Sequence, residues 1–158
     1  MTALRYADRL EITQVLALFT HAFDNADVVD LPLVFTPDAV IELRRTGRSV
    51  VGIQAIAAFA QSLRGHAPDH HTLDTVLLPD GPGRVRARSR YIALLPDGAV
   101  HNGDFLDVLV LTARGWRIEH RTAVPRYPLG EPLVPLPEGY ITPWLPVHEG
   151  RADARAEL

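Results

Sequence analysis

The spacing of apolar residues changes once along the chain, from a helical repeat near the N terminus to a two-residue repeat in the second half. Between residues 8 and 25, the apolar side chains that recur every three or four positions are Ile12, Val15, Leu16, Phe19 and Phe23. This stripe is typical of an amphipathic helix, and residues 53–63 carry a second one. From residue 70 onward apolar and polar residues alternate between turns rich in Pro and Gly. Helices followed by consecutive strands predict an α+β domain, with helices on one face of a curved antiparallel sheet.

Strands are predicted over residues 39–43, 70–78, 84–91, 100–111 and 116–124, and a short helical turn over 27–35. Asp8 followed by Glu11 indicates a capping box at the start of the first helix. In the segment 84–91, four arginines alternate with apolar or small residues, so one face of that strand is cationic and the other suits a core. We expect one domain over residues 1–125. Residues 126–158 form a Pro-rich arm that is not a separate domain, since seven of the 13 prolines lie from Pro125 onward.

Composition excludes several classes of chemistry. The chain of 158 residues contains no cysteine, and all 16 of its basic residues are arginine. Thiolate nucleophiles, Cys-ligated zinc, iron–sulfur clusters, Schiff-base lysines and lysine-bearing phosphate loops are therefore excluded. The net charge of -3 argues against general nucleic-acid binding, which needs a surplus of basic groups. No apolar run approaches the roughly 18 residues of a membrane span, and we expect a cytoplasmic protein without nucleic-acid or membrane partners.

Asp24 and two adjacent histidines are the candidate acid–base groups. At about 100° per residue, Asp24 lies beside the apolar stripe of the first helix, where partial burial would make it a proton acceptor. His70 and His71 begin a strand, so one imidazole points inward and the other outward. An inward histidine near a carboxylate can transfer protons at neutral pH. The alternatives are a solvated helix-end acid and a structural histidine, and both remain open at this stage.

Two further groupings are structural candidates. Asp107 shares a strand face with Phe105 and His101, and on that buried side it needs a partner, for which Arg121 or His120 on the next strand is suitable. His66, His70 and His71 are possible metal ligands together with Asp69 or Asp74. Side chains of neighbouring strand residues diverge, however, so we predict neither a metal nor a cofactor.

Several short segments in a fixed order carry a resemblance to a known family. They are the first helix ending at Asp24, FTPDAV at 35–40, GI at 52–53, His70 four residues before Asp74, GDFLD at 103–107, and GWRI at 115–118 followed by Arg121. Together they resemble the SnoaL-like polyketide cyclase/dehydratase branch of the nuclear-transport-factor-2-like superfamily, over residues 8–125. The resemblance implies a cone-shaped half-barrel: a curved antiparallel (mixed) sheet wrapped around N-terminal helices and enclosing a hydrophobic pocket.

The resemblance also implies functional residues. In dehydratase-like members, an acid on the first helix and a histidine on the third strand form the catalytic pair, and these positions resemble Asp24 and His70, with His71 as the less favoured alternative. Residues expected to contact substrate are Phe19, Phe35, Phe59, Tyr91, Phe105, Asp107, Trp116 and Arg121. The sequence departs from the family where Phe105 and Phe19 replace tyrosines, which removes two hydroxyl donors.

We therefore hypothesise a cofactor-independent lyase or isomerase acting on a hydrophobic cyclic metabolite. Its Asp–His pair would take a proton beside a carbonyl and return it to a leaving oxygen or a neighbouring carbon. The alternative is a non-catalytic domain of the same fold that binds ligands or forms oligomers. We expect a homo-oligomer, a dimer or trimer. The arm has apolar anchors at Leu133, Tyr140, Trp144 and Leu145, of which the last three could clamp a neighbouring subunit.

Overall fold

Helices and strands follow one another in the order that the periodicity predicts. The structure, a computed structural model, describes residues 4–127 and 138–145. The helical elements are α1 (Tyr6–Phe19), a π-helical turn (Thr20–Asp24), α2 (Leu31–Val34), α3 (Ile53–Ser62) and a 3-10 turn (Thr142–Trp144). The strands are β1 (Phe35–Leu43), β2 (Arg48–Val51), β3 (Asp69–Pro79), β4 (Arg84–Leu94), β5 (Val100–Thr112) and β6 (Gly115–Tyr127). The sequence did not predict β2, a four-residue edge strand.

The six strands form one open, curved sheet in the order β2-β1-β6-β5-β4-β3. Neighbours are antiparallel except for β1 and β6, which run parallel. The sheet is therefore mixed and not closed, with β2 and β3 at its edges. This confirms the predicted α+β class, and the successive hairpins from β3 to β6 are those predicted from the turn sequences.

The core lies between the helices and one face of the sheet. On α1 the predicted stripe is buried, including Ile12 and Leu16. The predicted alternation on β4 is also confirmed: Val85, Ala87, Ser89 and Tyr91 are buried, while the arginines between them lie on the opposite face. The periodicity thus assigns both the helical stripe and the strand face correctly, because burial requires one side of each element to be apolar.

The predicted capping box at the start of α1 is wrong. The helix begins after Arg5 without a side-chain cap, and Asp8 instead accepts hydrogen bonds from Arg5 and from the Trp116 ring nitrogen, 3.1 Å away. Glu11 accepts the backbone N–H of Trp116 at 2.9 Å. Both carboxylates therefore join α1 to the start of β6. The hydrogen bonds from Arg5 and Trp116 lower the pKa of Asp8 to about 2.

The described part of the C-terminal arm lies against the chain's own sheet. The Tyr140 and Trp144 rings stack with centroids 6.0 Å apart, and the guanidinium groups of Arg44 and Arg86 lie over these two rings. Strand β6 runs to Tyr127, slightly past the predicted domain limit. Leu133 lies outside the described residues, and contact of the arm with another subunit stays a prediction. Within the described residues, no helix has the length and apolar character needed to cross a bilayer.

Candidate active site

A π-helical turn at the end of α1 determines where Asp24 points. The sequence predicts one α-helix to residue 25, but the regular helix ends at Phe19 and Thr20–Asp24 form the wider turn. In an α-helix five residues turn through about 500°, which would leave Asp24 about 140° away from Phe19. A π turn pairs residues five apart and places them on one face. Asp24 is thereby brought to the side of Phe19 that faces the sheet.

His70 and His71 occupy opposite faces of β3, as the alternation predicts. His70 pairs with the buried Ala93 of β4 and lies on the helix-covered face, with its side chain only 14% exposed. His71 lies on the other face with a side chain that is 55% exposed, 3.8 Å from the exposed Asp69. The structure therefore separates the two candidates, and His71 has no contact with Asp24 because the strand turns it outward.

Both oxygens of the Asp24 carboxylate bind His70. Oδ1 lies 2.9 Å from the ring nitrogen Nδ1, and Oδ2 accepts the backbone N–H of His70 at 2.7 Å. The side chain of Asp24 is 7% exposed. Because an ionised carboxylate only accepts hydrogen bonds, Nδ1 carries the proton in this contact. The opposite ring nitrogen, Nε2, is then the free acceptor of a neutral imidazole.

An apolar cavity of about 210 Å³ opens beside His70, between the helices and the sheet. Six residues that the sequence predicts for the site line it: Phe19, Phe59, His70, Tyr91, Phe105 and Arg121. An apolar cavity of about 150 Å³ is enough to hold benzene, whereas drug-sized sites begin at about 300 Å³. The cavity therefore suits a compact ligand of one or two rings.

Aromatic rings surround the imidazole of His70. Its centroid lies 5.6 Å from that of Tyr91, 5.8 Å from Phe105 and 6.2 Å from Phe19. Burial raises the pKa of Tyr91 to about 12. The negative charge of Asp104 adds to this rise, and the positive charge of Arg45 opposes it. The Tyr91 hydroxyl therefore keeps its proton at neutral pH. Tyr91 lines the cavity, so it is the candidate for the hydroxyl donor that the sequence lacks at Phe19 and Phe105.

The predicted partner of Asp107 is Arg121. Nε and Nη2 of Arg121 donate to the two carboxylate oxygens at 2.7 and 2.8 Å, and both side chains are almost fully buried. The guanidinium carbon lies 4.0 Å from the centre of the Phe19 ring and 4.2 Å from that of Phe105. The remaining nitrogen, Nη1, is buried and has no hydrogen-bond partner in the described structure. Arg121 lines the cavity and Asp107 does not.

Arg45 and His101 line the cavity although neither was predicted for the site. Arg45 is exposed in the turn between β1 and β2. His101 packs edge-on against Tyr91 with ring centroids 6.1 Å apart, and its Nδ1 is buried without a partner in the described structure. Burial lowers the pKa of His101, and the positive charge of Arg45 lowers it further. A signal existed for His101, since alternation already placed it on the Phe105 side of β5.

Three residues predicted to contact substrate do not line the cavity. Phe35 is buried in the core and packs edge-on against Phe19, 6.0 Å away. The Trp116 ring is bound to Asp8 at the other end of α1. Asp107 lies behind the guanidinium of Arg121. Phe35 and Trp116 are held by partners that the sequence pattern did not identify, whereas the partner of Asp107 was among those predicted. In the described ranges 4–127 and 138–145, no three His, Asp or Glu side chains group as metal ligands would.

Comparison with known proteins gives one family. The SnoaL-like domain matches residues 5–122 of the chain. The uncharacterized protein Rv2910c of Mycobacterium tuberculosis is 33% identical over 133 residues, which cover 77% of this chain and 87% of the relative. The fold of this chain is similar to that of a variant of Rv3472, a protein of unknown function from Mycobacterium tuberculosis. The TM-score is 0.71, with 22% identity over 83% of this chain and 79% of that one. This chain is also similar in fold to a Novosphingobium aromaticivorans protein provisionally named a scytalone dehydratase, with a TM-score of 0.67 and 13% identity over 79% and 95% of the two chains.

Proposed function

Because this chain belongs to the SnoaL-like domain family, we propose that it is a cofactor-independent acid–base enzyme of the dehydratase, isomerase or cyclase type. Its substrate is a compact, hydrophobic cyclic metabolite. The observation that carries the proposal is the pairing of Asp24 with His70 beside an apolar cavity. The provisional name of the Novosphingobium relative agrees with this class of reaction and identifies no substrate.

His70 is the proposed catalytic residue. Its Nε2 takes a proton from a carbon next to a carbonyl group of the bound substrate, and the electrons of the broken C–H bond form an enolate with the negative charge on the carbonyl oxygen. In a dehydration the carbonyl re-forms, the enolate electrons make a double bond between the α- and β-carbons, and the C–O bond to the β-hydroxyl group breaks. The imidazolium gives its proton to the departing oxygen, which leaves as water. In an isomerisation the same proton returns to a different carbon. General acid–base catalysis of this kind contributes about 10²–10⁴-fold in rate.

Asp24 acts through His70 and is therefore a positioning residue. The sequence analysis offered Asp24 itself as a proton acceptor, but both of its oxygens are engaged by His70. It fixes the tautomer that leaves Nε2 free, and its charge stabilises the imidazolium that forms during the reaction. Burial strengthens this effect, because the interaction of two charges grows as the local dielectric constant falls.

The carbonyl oxygen of the substrate becomes negative as the proton leaves, so it needs a donor. Tyr91 supplies a protonated hydroxyl and Arg121 supplies the positive charge of its guanidinium, and both residues line the cavity. Phe19, Phe59 and Phe105 supply apolar walls that orient the ring and exclude water. Preorganised donors in such a site act on the charge that develops in the transition state.

The test compares His70→Asn with His71→Asn in the full chain. The substrates are cyclic β-hydroxyketones of one and two rings, with and without a carboxylate, and the readouts are enone absorbance and deuterium uptake next to the carbonyl in D2O. We expect His70→Asn to lose about 10²–10⁴-fold in rate, and Asp24→Asn to lose activity with little change in KM. His71→Asn, the matched control, keeps full activity.

Equal rates in the two histidine variants would refute the assignment of His70. If the compounds bind in the cavity but neither react nor exchange protons, the alternative of a non-catalytic ligand-binding domain is supported instead.

A further inference from the structure

We propose that the ligand of the cavity is an anion: a compact hydrophobic ring compound that carries a carboxylate or another acidic oxygen, bound by Arg121 inside the cavity and Arg45 at its mouth. The inference rests on the proposed function only in taking this cavity as the substrate site. It adds the charge of the substrate, which neither the family nor the Asp24–His70 pair specifies.

Arg121 provides the first argument. Asp107 binds two of the three guanidinium nitrogens, which leaves Nη1 buried and without a partner in the described part of the chain. Buried donors are almost always hydrogen-bonded, and an exception calls for an explanation. Arg121 lines the cavity while Asp107 lies behind it, so Nη1 is the guanidinium nitrogen that Asp107 leaves without an acceptor. Because Nη1 is buried, a ligand oxygen that satisfies it has to displace the side chains that cover it.

Arg45 provides the second argument. It lines the cavity from the turn between β1 and β2 and is itself exposed. It makes no hydrogen bond or ion pair with the residues that the structure describes, yet its charge contributes to the lowered pKa of His101 and opposes part of the rise in the pKa of Tyr91. Its electrostatic field therefore extends into the cavity. An anionic group placed there would be the first close counter-charge available to Arg45.

Of the charged groups near the cavity, those in its described lining are both arginines, Arg45 and Arg121. Asp107 neutralises Arg121. The Asp24 carboxylate, hydrogen-bonded to a neutral imidazole, keeps its charge but lies behind His70 and outside the lining. The lining residues therefore carry a positive charge, that of Arg45, within an otherwise apolar surface. Such a site attracts a hydrophobic anion in preference to a neutral compound of the same shape.

The test measures binding of two carboxylates, benzoate and 2-naphthoate, against their neutral amides, benzamide and 2-naphthamide. Isothermal titration calorimetry gives the affinities, and NMR shifts of the His70 imidazole report whether the compound occupies the cavity. A charge-assisted hydrogen bond predicts that the wild-type chain binds at least one carboxylate about 10–100-fold more tightly than its amide. Arg45→Gln should remove most of this preference. Arg114→Gln, which removes the same charge from the exposed turn between β5 and β6, should retain it.

Equal affinity for acid and amide, or the same preference in both arginine variants, overturns the inference, as does failure of both carboxylates to bind. If acid and amide bind equally and both shift the His70 signals, the proposed function stands and only the anion preference fails. If compounds bind without affecting His70, the cavity itself loses its assignment as the substrate site.

Discussion

Replacing Asp107 by Asn tests whether the buried ion pair holds the sheet together under the cavity. Asp107 lies on β5 and Arg121 directly opposite on β6. The two hydrogen bonds are 2.7 and 2.8 Å long, and the side chains are 0% and 1% exposed. Asn keeps the shape of the side chain but removes its charge, so the guanidinium of Arg121 stays buried without a counter-charge.

The free energy of unfolding is expected to fall substantially in Asp107→Asn. Removing one partner of a buried ion pair lowers the free energy of unfolding by about 3–5 kcal/mol, and Asn retains one acceptor, so the lower end of this range applies. Domains are stable by about 5–15 kcal/mol in total. With a typical urea m-value of about 2 kcal/mol/M, a loss of about 3 kcal/mol moves the unfolding midpoint down by about 1.5 M.

Asp104 provides a matched control on the same strand. It is also buried, but its partners Arg88 and Arg90 lie on the opposite face of the sheet and are 23% and 41% exposed. Water can therefore solvate these guanidinium groups when Asp104→Asn removes the charge, and we expect a loss of about 1 kcal/mol. The assay is equilibrium urea unfolding followed by circular dichroism, with the m-values compared. Equal midpoint shifts in the two variants would refute the reasoning from burial.

A double variant completes the measurement. Asp107→Leu combined with Arg121→Met replaces both charges by apolar groups of similar length, and removing both charges of a buried pair is often neutral in stability. We expect the double variant to be more stable than Asp107→Asn. A double variant less stable than the single one would mean that the pair contributes more than the avoidance of an unpaired charge.

Three further predictions concern pH, packing and titration. The folded-state pKa of Asp8, about 2, lies below the ordinary value of 3.8. The ionised Asp8 carboxylate therefore stabilises the fold above about pH 4, and this stabilisation is lost as the pH falls toward 2. The difference in urea midpoint between the wild-type chain and Asp8→Asn should shrink over that range. A Cβ at Gly103 would overlap the Tyr91 ring and the Val124 carbonyl oxygen, so Gly103→Ala should cost about 1–3 kcal/mol by overpacking and weaken ligand binding in the cavity, as measured by urea unfolding and calorimetry. Arg45 lowers the pKa of His101, although less than burial does, so Arg45→Gln should raise that pKa in an NMR titration while Arg114→Gln leaves it unchanged.

The fold could be predicted from the sequence because its signals are local and repeat many times. Alternation over 84–91 identified the buried face of β4, and the stripe from Ile12 to Phe23 identified the helix that covers the sheet. The Asp107–Arg121 pair was also accessible, because a charged residue on the buried face of one strand needs a partner on the next. These inferences depend on periods of 2 and about 3.6 residues, which hold throughout a regular element.

The site was harder to predict because it depends on departures from regularity. The α-helical angle places Asp24 beside the core, and only the π turn directs it to His70. Arg45 lies in a turn, where no periodicity indicates the direction of a side chain. Phe35 and Trp116 were expected to contact the substrate, but Phe35 fills the core and the Trp116 ring donates a hydrogen bond to Asp8. Residue type alone did not separate a wall of the cavity from a packed interior.

The charge of the ligand and the protonation of His70 are coupled through Arg45. When Nε2 of His70 takes a proton, a second positive charge appears in an apolar site where Arg45 is already unpaired, and at low dielectric like charges oppose each other. Asp24 compensates for the imidazolium from behind. An anionic substrate compensates for Arg45 in front, so proton transfer to His70 is more favourable with that ligand than in the empty cavity. It follows that a cyclic β-hydroxyketone that bears a carboxylate should exchange its α-proton faster than its neutral analogue. Arg45→Gln should reduce the difference between the two substrates, and equal rates for both in the wild-type chain would contradict this coupling.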